Sequence, residues 1–189
     1  MDFLELAHRR RSVRKFADRP IEPEKFQRLQ VVAEAAQQAY GATAGALYIA
    51  ADPVLADRLR GAIVSGWQGK INLWLYVTPV PAFLVMLVKS PADSAEADRP
   101  LSLGPISMVM ESVVLAAAEM DLGTCWIAGF NPDGVGKLLH LPPDWRPCIV
   151  SPLGYPTEKG RLEMVSRTFA QADRRKPLEE IFEWKGGRS

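Results

Sequence analysis

Five cationic side chains and one hydroxyl fall within nine residues near the start of the chain, His8-Arg9-Arg10-Arg11-Ser12-Val13-Arg14-Lys15-Phe16. Arginine presents planar, forked donors that match the oxygens of a phosphate, and a serine hydroxyl adds one more. The cluster therefore predicts an anion site. The rest of the chain does not explain it, because the 189 residues carry a formal net charge of only +1. So even a balance argues against nucleic acid as the partner and points to a small anionic ligand.

Other chemistry is sparse. Cys125 and Cys148 lie far apart, with no CxxC and no histidine at ligand spacing. Neither a metal site nor a disulfide framework is expected, and a reducing cytoplasm is the expected location. His8 and His140 read as surface or helix-end residues. Cys125, in an apolar run, reads as an inert core thiol. No Ser/His/Asp set and no paired carboxylates stand out.

The elements that must position the cluster follow from periodicity. Phe3, Leu4, Leu6 and Ala7 predict a short helix running into the arginines. Glu24–Tyr40 repeats apolar residues at the helical period, with Pro23 suited to its first turn. Ala46–Ala50 reads as a buried strand. Val54–Val64 reads as a helix that Asp52 caps. Ser65–Gly69 reads as a loop. The apolar stretch from Ile71 to Val88 approaches the length of a membrane span, but Pro79 and Pro81 divide it into a helix end, Ile71–Val77, and a buried strand, Ala82–Val88. No membrane partner is expected, and the first residues, with two acids and no long apolar run, predict no signal peptide.

The clearest helix follows. Ile106, Val109, Met110, Val113, Val114 and Ala117 form one stripe, and Met108, Leu115, Ala116 and Ala118 extend it around the helix. Burial on more than one side is predicted, against a core, a partner subunit or both. Gly123 is expected to cap or turn the chain after it. Thr124–Ala128 and Arg146–Pro152 read as strands, Asp133–His140 as a short helix, and Leu153-Gly154-Tyr155-Pro156 as a structural break. The sum is an α+β fold, three layers with a small central mixed or antiparallel sheet flanked by helices, built as a single domain over residues 1–189.

Four segments in this order resemble the nitroreductase-type, FMN-dependent oxidoreductase family: Arg10-Arg11-Ser12-Val13-Arg14-Lys15-Phe16; Leu115-Ala116-Ala117 through Leu122-Gly123-Thr124-Cys125-Trp126-Ile127; Leu153-Gly154-Tyr155-Pro156; and Arg175-Lys176-Pro177-Leu178-Glu179-Glu180-Ile181. The resemblance implies a homodimer with FMN at its interface. It implies electron transfer from NADH or NADPH through the flavin to a small-molecule acceptor, such as a nitro compound or quinone. It assigns Arg10, Arg11, Ser12, Arg14 and Arg175 to the FMN phosphate, and backbone of Ile127, Ala128 and Gly129 to the flavin ring. Which of Arg9, Arg10 and Arg11 reach the phosphate stays open. Trp67 and Gln68, in a Gly-flanked loop, are the candidates for the substrate side. The polar stretch that many members carry after the second helix, with an Asn, a Gln-Pro and a Trp, is replaced here by Ala36–Gly45. Glu111-Ser112 likewise stands where members often have an Asn. A flavin-holding protein of the same fold with little turnover is the alternative reading.

Overall fold

The computed structural model describes residues 2–41, 45–89 and 100–157. The chain divides into two compact units, Met1–Thr157 and Glu158–Ser189, and the described residues lie in the first. The expected tail motif, with Arg175, lies outside the described residues, as does the polar segment before it.

Helix α1 spans Phe3–Arg9, with Asp2 accepting from the Glu5 N–H at its start. Helix α2 spans Pro23–Tyr40, with Pro23 in the first turn and Gly41 as a left-handed C-cap (φ 64°). Strand β1 is Gly45–Ala50. Helix α3 is Pro53–Val64, and Asp52 caps it through the Leu55 N–H. Beyond it come α4 (Gly66–Gly69), a 3₁₀ helix (Lys70–Val77), β2 (Ala82–Lys89) and α5 (Pro100–Glu119). The first unit ends with β3 (Gly123–Thr124), α6 (Pro132–Leu138) and β4 (Trp145–Gly154).

The four strands form one antiparallel sheet in the order β1-β2-β4-β3. Strand β2 is buried on both faces, as its unbroken apolar run requires. Its alternate residues sort into two cores. Ala82, Leu84, Met86 and Val88 meet Leu29, Ala33 and Ala36 of α2 and the predicted stripe of α5. Phe83, Val85 and Leu87 meet Ala56, Leu59 and Ile63 of α3, together with Leu75 and Val135. A period of two along β2 thus produces the three layers, α2/α5, sheet and α3/α6.

Four expectations need correction. Residues 66–69 form a helical turn, not a loop: Gly66 enters it at φ 71°, and a Cβ on Gly69 would meet the Ile63 carbonyl at 2.4 Å, so only glycine lets the turn stack on α3. The left-handed residue that ends α5 is Asp121 (φ 63°), not Gly123. The Leu122 N–H bonds the Ala117 carbonyl and the Asp121 N–H that of Ala118, a Schellman closure. Strand β4 continues through Leu153 and Gly154 and breaks only at Tyr155. Finally, Thr124–Ala128 is not one strand. The register that pairs Gly123 with Gly154 and Thr124 with Leu153 resumes at Ile127–Val150, so Cys125 falls opposite Pro152. Proline has no N–H to give the Cys125 carbonyl, and the Pro152 carbonyl accepts from the Ser151 hydroxyl at 2.9 Å. The same hydroxyl accepts the Cys125 N–H at 3.0 Å, and the ladder skips one rung.

Candidate functional site

The arginine segment is laid along the open side of β3. Ser12 bridges Thr124 in parallel, and the Val13 N–H donates to the Thr124 carbonyl at 2.8 Å. Farther along, Phe16 bridges Pro156 antiparallel, with Ala17 N–H to Tyr155 O at 2.8 Å and Thr157 N–H to Lys15 O at 3.1 Å. The Phe16 N–H also donates to Thr78 Oγ1 at 3.0 Å. Val13 and Phe16 are buried and act as the anchors. The cationic residues between them are carried on a backbone bonded at both ends.

Where the segment leaves α1, a cleft of about 160 Å³ opens, lined by Arg9, Arg10, Arg11, Asp121, Gly123 and Thr124 among others. Arg9 donates from Nη2 to Asp121 Oδ1. Arg10 faces a different acid: its Nε lies 3.4 Å from Glu111 Oε1 of α5. That contact lacks hydrogen-bond geometry, and the Arg10 Nε is buried with no hydrogen-bond partner. Arg11 is half-buried and is engaged by a further interaction. Ser12 and Arg14 are half-buried but do not line this cleft, and Arg14 makes no ion pair among the described residues.

Ile127, Ala128 and Gly129 lie just past β3, three to five residues from the Ser12–Thr124 bridge. Ile127 is buried, and both its N–H and its carbonyl are bonded to Val150. The Gly129 carbonyl accepts from the buried Asn72 Nδ2 at 2.6 Å. A Cβ on Gly129 would meet Ile71 Cδ1 at 2.8 Å, so the turn is pressed against the 3₁₀ helix. Ala128 is exposed, and its N–H and that of Gly129 make no hydrogen bond among the described residues. The expected substrate-side pair stands beside this turn: Gly129 nears the Gln68 carbonyl, and Trp67 is 81% exposed. The structure thus gathers the expected site residues into two groups, a cationic cleft at one end of β3 and the 127–129 turn with residues 67–72 at the other.

The sequence reading missed the acids. Glu111 and Asp121 stand opposite Arg10 and Arg9. A signal existed for Glu111, a lone carboxylate within the apolar run Met108-Val109-Met110-Glu111-Ser112-Val113-Val114. The polar cluster that fixes the Gly154-Tyr155-Pro156 turn was also unforeseen. The Tyr155 hydroxyl donates to Glu22 Oε2 and accepts from Lys25 Nζ at 2.7 Å, while the Arg19 guanidinium stacks 4.1 Å from the ring centroid. The Tyr155 hydroxyl, followed by a backbone N–H and then by the Arg19 guanidinium and the Lys25 charge, holds the Glu22 carboxyl down at about 2. This cluster fastens β4 to α2, the structural role expected of the turn.

Two comparisons bear on the class. The sequence profile described as the nitroreductase family matches residues 70–155. The fold is similar to that of solved nitroreductases. A nitroreductase family protein from Clostridium difficile 630 aligns with TM-score 0.72 at 23% identity over 98% of this chain and 99% of its own. A Bacteroides thetaiotaomicron VPI-5482 protein, provisionally assigned as an NADH dehydrogenase/NAD(P)H nitroreductase, gives TM-score 0.70 at 22% identity over 96% of each chain. An FMN-dependent nitroreductase from Clostridium difficile R20291 gives 0.67 at 20% identity over 84% of this chain and 90% of its own. The family resemblance read from the sequence motifs is borne out: the fold is the nitroreductase fold, and residues 70–155 match the nitroreductase family profile. That matched span includes the second motif, the third as far as Tyr155, and Glu111, and begins after the arginine segment. Among the described residues no helix is long and apolar enough to cross a membrane, and no group of His, Cys, Asp and Glu could hold a metal ion.

Proposed function

We propose that the chain is an FMN-dependent oxidoreductase that passes electrons from NADH or NADPH to an electron-poor small molecule, acting in the cytoplasm as a homodimer with residues 1–189 as one functional domain. The observation that carries this reading is the cationic cleft at β3, in which the buried Arg10 Nε still has a hydrogen bond to give. Buried donors are nearly always satisfied, and a phosphate oxygen satisfies a guanidinium best. The donor set fits the phosphate end of FMN: Arg10 and Arg11 at the cleft, with Ser12 and Arg14 on the same pinned segment, and Arg175 assigned to it by family resemblance.

When bound, FMN supplies the redox chemistry, a two-electron exchange between a nicotinamide donor and the acceptor. The residues of this chain hold and orient. Backbone hydrogen bonds from Val13 and Phe16 keep the arginines from collapsing into the sheet edge. Asn72 fixes the Gly129 carbonyl, leaving the Ala128 and Gly129 N–H groups to face a flat ring. Trp67 and Gln68 form the acceptor side of this proposal.

A second reading, flavin holding with little turnover, draws on the α2–β1 connection. There Gln37, a polar side chain of the kind members direct at the ring, donates its amide to the Gly45 carbonyl at 2.8 Å instead. Anaerobic titration of the flavin-loaded chain separates the two. Bleaching by NADH or NADPH and recovery on adding a quinone is expected of the enzyme, and persistent colour under both donors would refute it.

A further inference from the structure

Glu111 is the least explained charge next to the cleft. Helix α5 has two acids, and Glu119 is accounted for by Arg28 Nη2 at 2.7 Å. Glu111 instead places Oε1 3.4 Å from Arg10 Nε without hydrogen-bond geometry. A carboxylate that positions an arginine does so by accepting from its fork at hydrogen-bond distance, as Asp121 does for Arg9. Glu111 offers Arg10 only coulombic attraction. The guanidinium is thus neutralised but not oriented, and its buried Nε is left with a donor to satisfy.

We propose that Glu111 is a displaceable counter-ion: it occupies the field of Arg10 until a flavin phosphate arrives, and it thereby weakens the affinity of the site for phosphate-bearing flavin. The inference rests on the reading that the cleft takes FMN. The carboxylate acts twice against the phosphate. Its attraction to Arg10 is lost when Arg10 turns to the phosphate oxygens, and its own charge repels the incoming dianion. The pair is partly exposed, with side-chain accessibilities of 25% for Arg10 and 43% for Glu111, so its strength is that of a surface ion pair. Removing the charge should therefore tighten FMN by about two- to fivefold, with the gain largest at low salt. Riboflavin, which lacks the phosphate, should not respond.

The test is fluorescence titration of the full chain with FMN and with riboflavin, at low and high sodium chloride, for the wild type, Glu111→Gln, Glu111→Ser and Arg10→Ala. Circular dichroism checks that each variant is folded. The inference predicts tighter FMN binding in both Glu111 variants, unchanged riboflavin binding, and weaker FMN binding in Arg10→Ala. Unchanged or weaker FMN binding in folded Glu111 variants, with Arg10→Ala still weakened, overturns the counter-ion role while the phosphate reading stands. A wild type that binds riboflavin as well as FMN overturns the phosphate reading, and the counter-ion role with it.

Discussion

Val13 occupies the space that a side chain at position 123 would need. A Cβ built on Gly123 lies 2.8 Å from the Val13 Cβ, closer than real Cβ atoms approach. This one missing methyl lets the segment after the arginines hydrogen-bond along β3, with Val13 N–H to Thr124 O at 2.8 Å. The proposed anion site therefore depends on the absence of a side chain at Gly123.

Gly123→Ala should push Val13 off the sheet edge. Overpacking of this kind costs about 1–3 kcal/mol, and the arginines lose their support with it. Gly61→Ala is the control, since a Cβ there meets nothing within 4 Å in the middle of α3. It should stabilise the chain by about 0.4–1 kcal/mol. Urea unfolding of the two variants should move the midpoint in opposite directions.

The skipped rung between β3 and β4 gives a second expectation. Ser151 is fully buried, and its hydroxyl accepts the Cys125 N–H while donating to the Pro152 carbonyl that stands opposite it. Ser151→Ala should strand that N–H and cost about 1–3 kcal/mol, where Ser151→Thr, which keeps the hydroxyl, should cost less. Denaturant midpoints of the pair decide the point.

Acid should weaken the tie between β4 and α2. The Glu22 carboxyl is lowered from 4.5 to about 2, first by the Tyr155 hydroxyl, so folding favours its charged form. That stability is fully present above about pH 4.5 and is lost as pH falls through 2. Tyr155→Phe and Glu22→Gln should each flatten the fall in stability over that window. A wild type and a Glu22→Gln variant that lose stability in parallel between pH 5 and 2 would refute the assignment.

The thiols should be quiet. Burial pushes the Cys148 thiol up to about 11, and its Sγ rests on the Met86 carbonyl at 3.3 Å; Cys125 is buried at 3% exposure. Since the thiolate is the reactive species, native protein at pH 8 should react with an aromatic disulfide reagent far more slowly than the same protein in denaturant, which should release two equivalents.

Local signals made most of the framework legible. The stripe of α5, the Asp52 cap, Pro23 at a first turn and the doubly buried β2 are each written in a few adjacent residues. The misreadings share another cause: each depends on a partner outside the element being read. Gly69 is required by the Ile63 carbonyl, Gly123 by Val13, and the break after Thr124 by Pro152, 28 positions downstream. At the site, the sequence showed the cations but not their counter-ions, because Glu111 reaches Arg10 only when α5 packs beside α1. Charge clusters can be read from one segment, whereas their neutralisation cannot.

The central claim, that this cationic segment holds the phosphate of FMN, is tested most directly by flavin content. The purified wild type should carry FMN close to one per chain, and Arg10→Ala with Arg14→Ala should lose it while keeping the wild-type circular dichroism spectrum. Each charge-assisted bond to phosphate is worth about 1.5–3 kcal/mol, so the double variant should bind at least about a hundredfold more weakly. A folded double variant that still retains stoichiometric FMN would contradict the account.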